Sequence, residues 1–195
     1  VLPDDVCDQK IIDPQTGMDP LIIASKYGHL YLVESFIRKG FDKSTVDFSL
    51  NTALHYACQN GDYDVVSLLY SNDLMLKKNA SGRLPIESAL LSHAAEKIVP
   101  LLAKNKINDG TLTKQIMFTA ISCPNHYPTL YVLKYLQPEF DLDVLKESVK
   151  RGNCEMIKAL ISAWPEAKSA LTSERLIDLA GADGLKRFIS KVMEN

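Results

Sequence analysis

The chain has 195 residues, 46% of them hydrophobic and 24% charged, and its formal net charge at pH 7 is -2. A chain of this size and composition can bury a substantial core, either as one domain or as one repeat array. Because positive and negative charges nearly balance, we expect neither nucleic acid binding nor attraction to anionic membranes. The longest apolar runs are far too short to span a bilayer, and since no basic segment followed by an apolar one opens the sequence, we expect no secretory signal.

The four cysteines are far apart in sequence and show no paired spacing. This distribution favours buried thiols in a reducing compartment over a disulfide framework. We therefore expect a cytoplasmic or nuclear protein, or one that acts in a host cytosol if it is a secreted effector. The first residue is Val1 and not Met, so a longer parent protein is one of the alternatives considered below.

One segment, Asn51 to Asp73, sets a pattern that the rest of the chain repeats. Thr52-Ala53-Leu54-His55 opens a short apolar helix, Gly61-Asp62 breaks it, and a second apolar stripe follows. The same residue types recur 33 residues earlier, where Asp19 aligns with Thr52 and Gly28 aligns with Gly61. They recur again about 32 residues later. A single helix–turn–helix cannot bury its own apolar face, so each copy needs neighbours built to the same plan.

This pattern resembles the ankyrin repeat, a helix–turn–helix unit that recurs every ~33 residues. The residues that fit the family motif T-P-L-H-x-A and its G-H or G-D turn are Thr52, Leu54, His55, Ala57, Gly61, Asp62, Pro20, Leu21, Ala24, Gly28, His29, Gly40, Gly82, Pro85 and Ala89. The resemblance is clear from about Asp13 to Asn105 and weaker afterwards. It implies an all-α ankyrin-repeat solenoid of stacked antiparallel helix pairs, with about five repeats and a C-terminal helical cap.

Along the chain we predict a single ankyrin-repeat domain over residues 1–195. Its parts are an N-terminal cover over 1–12, repeats over 13–45, 46–78, 79–108, 109–141 and 142–171, and a terminal cap over 172–195. In the first repeat, Asp19 is expected to cap a helix that begins with Pro20 and ends at Gly28. Gly40 is expected to stop the second helix of that repeat.

The connectors between repeats should project as hairpin-like fingers, as the resemblance implies. Leu50 stands where the family places glycine, so we expect a distorted turn in the connector that ends at Asn51. In the next finger, Asn79 and Gly82 fit the expected turn.

The fourth and fifth repeats are more degenerate. Residues 116–121 are predicted to form a first helix, and 123–128 a longer turn bounded by prolines. The second stripe is predicted to comprise Leu130, Leu133, Tyr135 and Leu136. Gly152 marks the turn of the fifth repeat, and Trp164 with Pro165 should end its second helix.

Motifs for catalysis or cofactor binding are scarce. Neither G-x-G-x-x-G nor G-x-x-x-x-G-K is present, and His29, His55 and His93 occupy repeat-equivalent structural places. Cys123 and His126 form a C-x-x-H pair, but a metal site would need about two more ligands. A nucleophilic pair would need an activated thiol and an oxyanion site. We therefore expect no enzyme activity, no metal and no cofactor.

The resemblance implies that finger tips and exposed first-helix positions line one concave binding side. The positions predicted to contact a partner are Met18, Lys26, Tyr27, Phe48, Ser49, Asn51, Gln59, Asn60, Ser81 and Arg83. Among them, Phe48, Tyr27 and Arg83 are of residue types enriched at interface hot spots.

Three functions are consistent with this pattern. The first is a non-catalytic interaction module or scaffold that binds another protein and is monomeric in isolation. The second is the ankyrin portion of a larger enzyme or secreted effector whose catalytic part lies elsewhere. The third is a cysteine-dependent hydrolase centred on Cys123.

Overall fold

A computed structural model describes residues 11–103, 107 and 109–171. These residues form twelve α-helices and no β-strand, which confirms the all-α prediction. The chain divides into two compact units, Val1–Asn105 and Lys106–Asn195. The predicted cap over 172–195 and nearly all of the cover over 1–12 lie outside the described residues.

In the first unit, residues 11–103 form three helix pairs and one additional short helix. Its elements are α1 (Pro20–Lys26), α2 (Leu30–Arg38), α3 (Ala53–Asn60), α4 (Tyr63–Leu69), α5 (Asn72–Met75), α6 (Pro85–Leu90) and α7 (Ala95–Leu102). The first helices α1, α3 and α6 pack side by side, and the second helices α2, α4 and α7 form the other layer. The stacked pairs thus have the solenoid arrangement predicted from the repeat.

Local chemistry places the helix ends of this unit where the pattern predicts them. The Asp19 carboxylate accepts a hydrogen bond from the Ile22 backbone N–H at 2.7 Å, and Pro20 opens α1. Gly28 and Gly61 follow the first helices with φ of 69° and 82°. Only glycine adopts this left-handed conformation without a steric penalty, so both turns can reverse the chain tightly.

Over its described residues, the second unit contains two more helix pairs and one additional short helix. Its elements are α8 (Gly110–Ser122), α9 (Tyr127–Leu136), α10 (Leu142–Arg151), α11 (Cys154–Ala163) and α12 (Pro165–Leu171). Helix α8 packs on α10, α9 packs on α11, and α12 covers both α10 and α11. Gly152 ends α10 with φ of 69°, and Trp164 ends α11, as predicted. The sequence pattern did not predict α5 or α12.

The stripe predicted for α9 is wrong in its orientation. Thr129 and Val132 are completely buried, whereas Leu130 is 37% exposed. Nearly every position of α9 is apolar or aromatic, so its sequence carries little helical periodicity from which a buried side could be chosen. Packing against α8 and α11 decides which side of this helix is covered.

Candidate partner-binding face

Three fingers project from the first unit, over residues 13–18, 47–51 and 79–83. Each is folded around the side chain of its first residue. Asp47 Oδ1 accepts hydrogen bonds from the backbone N–H groups of Ser49 at 2.9 Å and Asn51 at 2.8 Å. Asn79 Oδ1 does the same for Ser81 and Arg83, both at 3.0 Å. Asp13 accepts from the backbone of Gln15 at 3.2 Å and from the Thr16 hydroxyl. The fingers are therefore rigid turns.

The three fingers share a left-handed residue near their tips. Gly17, Leu50 and Gly82 have φ of 75°, 57° and 72°. The distortion expected at Leu50 is absent, because its N–H bonds the Asp47 carbonyl at 2.9 Å just as the Gly82 N–H bonds the Asn79 carbonyl at 2.8 Å. The turn geometry is kept, and the leucine carries the steric cost of a left-handed backbone.

Backbone hydrogen bonds join the fingers into a row. The Phe48 N–H donates to the Thr16 carbonyl at 3.0 Å, and the Ala80 N–H donates to the Ser49 carbonyl at 2.8 Å. The Asn79 amide also donates to the Asn51 side-chain oxygen at 2.9 Å. The finger face, defined as these three fingers together with α1, α3 and α6, is thus a single pre-organised surface.

Phe48 stands on this surface in a fixed position. A Cβ placed on Gly17 would lie only 2.5 Å from Phe48 Cδ1, so the ring rests directly against the glycine backbone. The side chain nevertheless remains 71% exposed. An aromatic ring that is supported on one side and open on the other can be buried by a partner at little cost in conformational entropy.

A polar cluster lies on the first helices beside the fingers. The Tyr56 phenol donates to Asp47 Oδ2 at 2.6 Å, and burial together with this carboxylate raises the pKa of Tyr56 to about 12. The Lys26 ammonium lies 5.5 Å from the centre of the Tyr56 ring and 5.9 Å from that of Tyr27. Its Nζ is also 3.9 Å from the sulfur of Met18. Lys26 is therefore positioned by two aromatic faces.

Asn60 ties neighbouring repeats together at the far end of the first helices. Its amide donates to the Ser25 carbonyl at 3.3 Å and to the Lys26 carbonyl. Tyr27 beside it is 65% exposed.

The predicted contact positions differ in how far they reach solvent. Seven of them are exposed: Tyr27, Phe48, Ser49, Gln59, Asn60, Ser81 and Arg83. Lys26 and Asn51 are half-buried, and Met18 is buried beneath Lys26. The sequence-based list omitted Asp47, Tyr56 and Asn79, which fix the fingers and Lys26. An Asp or Asn a few residues before each left-handed position was the available signal.

His55 has the structural role expected of it. Its Nδ1 accepts from the Thr52 backbone N–H at 3.2 Å, and Nε2, 3.2 Å from the Arg83 carbonyl, donates to that oxygen. The tautomer follows from these two partners. Burial lowers the pKa of His55 from its usual 6.5, so the ring is neutral at physiological pH. One side chain thereby links the start of α3 to the next finger.

Cys123 does not have the environment of a nucleophile. The residue is buried at the end of α8, its Sγ lies 3.5 Å from the Thr119 carbonyl, and burial raises the pKa of the thiol. A reactive cysteine needs the opposite shift. The His126 ring stacks on Tyr127 with 4.6 Å between centroids. Within the described ranges, His, Cys, Asp and Glu form no group of three that could hold a metal ion.

The second unit has a cleft of about 500 Å³ at the connector between α9 and α10. Trp164, Phe140, Lys114 and Gln137 are among its lining residues. The Trp164 indole N–H donates to the Pro138 carbonyl at 2.8 Å, and its ring meets Phe140 edge-on at 5.7 Å. This connector is therefore supported by a buried aromatic side chain.

Two solved structures with similar folds illustrate the comparison with known proteins. The human ASB11 ankyrin repeat domain has a TM-score of 0.52 and 17% identity, covering 91% of this chain and 99% of that one. A chain in the Bd0816 predatory endopeptidase of Bdellovibrio bacteriovorus in complex with immunity protein Bd3460 has a TM-score of 0.63 and 20% identity, covering 89% and 98%. A search of curated proteins gave no significant match.

The family comparison agrees with the repeat spacing and with the helix pairs. The model for ankyrin repeats in three copies matches residues 3–80 and 21–112, more than half of the chain. In the part of the chain that is described, no helix is both long enough and apolar enough to cross a membrane. The matched motif and the stacked helix pairs show that this chain belongs to the ankyrin repeat family.

Proposed function

We propose that this protein is a non-catalytic interaction module that binds a partner protein on the finger face. Ankyrin repeats are in general protein–protein interaction modules, so the family membership supports this class of function. The similar fold found with the Bd0816 endopeptidase occurs in a complex of that enzyme with immunity protein Bd3460, which is in keeping with a protein partner.

The observation that carries the proposal is the pre-organised aromatic surface. Phe48 is fixed against Gly17 and remains mostly exposed, and Tyr27 is exposed beside the Lys26 ammonium. Aromatic side chains that are exposed and already held in position on one face are suited to recognition, because a partner can bury them without first ordering them. The rigid finger row lowers the entropic cost of docking.

The test uses alanine at Phe48, Tyr27 and Arg83 in one variant, with affinity purification from the source cells and quantitative mass spectrometry. A partner retained by the wild type should be depleted by at least about tenfold, since hot-spot residues each contribute about 2 kcal/mol or more. The melting temperature should stay almost unchanged because these side chains are exposed.

A matched control removes two tyrosines and an arginine from the second helices, at Tyr31, Tyr63 and Arg38, which are also exposed. This variant should retain the partner. If the finger-face variant retains the same proteins as the wild type, partner binding does not use this face.

A further inference from the structure

The charged groups of the finger face differ in how they meet solvent. Its three fingers and three first helices contain the acids Asp13, Asp47 and Glu87 and the bases Lys26 and Arg83, with Asp19 capping α1. Asp19, Asp47 and Glu87 are 6%, 4% and 1% exposed. Arg83 is exposed, and Lys26 is half-buried with its ammonium over the two tyrosine rings.

The buried acids are used within the fold. Asp19 accepts from the Ile22 backbone and, at 2.6 Å, from the Thr45 hydroxyl. Asp47 accepts from its own finger and from Tyr56. The Glu87 carboxylate accepts from the Leu84 backbone N–H at 2.8 Å. Buried carboxylates held in this way are not available to a partner.

The two bases, Lys26 and Arg83, are not held by charged partners within the described part of the fold. None of the ion pairs found among the described residues includes Lys26 or Arg83. Among the acids of this face, Asp13 is influenced by the charge of Lys26, but only slightly. The pKa of Asp13 is lowered chiefly by hydrogen bonds from the Thr16 hydroxyl and the Gln15 N–H. The accessible charge of this face is therefore mainly positive, although the whole chain is slightly negative.

We propose that the partner presents an acidic, extended segment to the finger face, with one carboxylate bound to Lys26 and another to Arg83. This inference rests on the proposed function and adds the chemistry of the bound segment. Lys26 is well suited to the first contact because the residue is half-buried and its ammonium is already positioned over the rings of Tyr27 and Tyr56. A charge-assisted hydrogen bond at such a site is stronger than one between fully exposed groups.

The spacing of the two bases sets the length of the segment. Lys26 is the last residue of α1 and Arg83 lies two residues before the start of α6, with α3 packed between the two helices. Packed helices are about 8–10 Å apart, so the two spacings from α1 through α3 to α6 place Lys26 and Arg83 roughly 20 Å from each other. An extended chain advances about 3.3 Å per residue, so the two carboxylates should be about six residues apart. Phe48 lies on the intervening finger, where an apolar side chain of the partner would contact it.

The experiment selects binders from a displayed library of random peptides of about twelve residues, on the immobilised full chain. The recovered peptides should be enriched in Asp and Glu, with a preferred separation of about six residues. The most enriched peptide is then titrated by fluorescence anisotropy at about 50 and 200 mM salt, and its affinity should fall as salt increases.

Charge-neutral variants assign the contacts. Lys26→Gln should weaken the selected peptide about tenfold, and Arg83→Gln, which is more exposed, by about two- to fivefold. Lys134→Gln is the matched control, since Lys134 is an exposed lysine over a tyrosine ring, 5.0 Å from the centroid of Tyr135, in the second unit. That variant should bind like the wild type.

The outcomes separate the two proposals. Peptides without acidic enrichment, lost on Phe48→Ala but kept on Lys26→Gln, would overturn the acidic segment and leave the partner-binding face in place. Peptides that bind regardless of Phe48, Tyr27, Lys26 and Arg83, or no enrichment at all, would count against both. Equal binding of a single-stranded DNA of similar length would overturn the assignment to an acidic peptide.

Discussion

The first and second units end their first helices in the same way but hold their connectors differently. Gly61 and Gly152 have nearly the same backbone conformation, with φ of 82° and 69°. The fingers of the first unit bond to one another through backbone groups, as in the contact of Phe48 with Thr16. In the second unit, side chains hold the connector, since Trp164 binds the Pro138 carbonyl at 2.8 Å and Lys114 pairs with Asp141 at 2.8 Å.

This difference explains why the repeat motif is clear in the first unit and weak in the second. Backbone hydrogen bonding within and between fingers requires an Asp or Asn and a left-handed residue at fixed positions, so it leaves a regular spacing in the sequence. A connector held by a tryptophan or lysine side chain can be supported from many sequence positions. Such support therefore leaves no regular spacing in the sequence, and the repeat motif is weaker in the second unit.

The largest effect is expected from Trp164→Ala in the second unit. Trp164 is 4% exposed, packs on Phe140 and satisfies the Pro138 carbonyl. Its removal leaves a large cavity, and the free energy of unfolding should fall by about 3–5 kcal/mol. Urea unfolding followed by far-UV circular dichroism measures this loss. Trp164→Phe, which keeps an aromatic ring but removes the N–H, should cost clearly less, and equal losses would show that the indole N–H bond, and not the packing of the ring, accounts for the effect.

The corresponding test in the first unit is His55→Ala. His55 is 2% exposed and joins Thr52 to the Arg83 carbonyl, so the substitution leaves a cavity and two unsatisfied backbone groups. We expect a loss of about 2–4 kcal/mol. His93→Ala, at an exposed position of the turn before α7, is the control and should change stability by less than about 0.5 kcal/mol. A similar change in both variants would contradict the assigned role.

Leu50→Gly should stabilise the protein by about 0.5–1 kcal/mol. The left-handed backbone costs a non-glycine residue about 1–2 kcal/mol, and glycine removes this cost. Part of the resulting stabilisation is offset because glycine has greater conformational freedom in the unfolded chain. The reverse exchange, Gly82→Leu, occurs at the equivalent finger position, where no atom lies within 4 Å of a new Cβ. It should destabilise by a comparable amount. A destabilising Leu50→Gly would mean that Leu50 contributes packing that outweighs its backbone strain.

The smallest effect concerns pH. Burial lowers the pKa of His55 in the folded state below its usual 6.5, so the unfolded chain takes up the proton more readily. The contribution of His55 is therefore fully present above about pH 6.5 and is lost as the pH falls through the folded pKa. The stability difference between wild type and His55→Ala should narrow from about pH 7.5 to about pH 5. A constant or widening difference would contradict the neutral, buried imidazole.

Much of the first unit follows from residue types at fixed positions. Asp19, Pro20, Gly28 and Gly61 act locally, through one cap, one fixed φ and two left-handed turns, so their roles could be predicted. The candidate face was located from the family pattern. Its support by Asp47 and Tyr56 was missed because the two side chains meet only when the finger folds back onto α3.

Sequence alone determined the all-α repeat, the helix pairs and the turns, because each depends on contacts within a few residues of the chain. Tertiary structure decided which side of α9 is buried, that Leu50 keeps a glycine-like turn, and that Phe48 rests on Gly17. It also decided that Lys26 is held over two tyrosines. These features depend on contacts between repeats, where packing and burial outweigh local propensity.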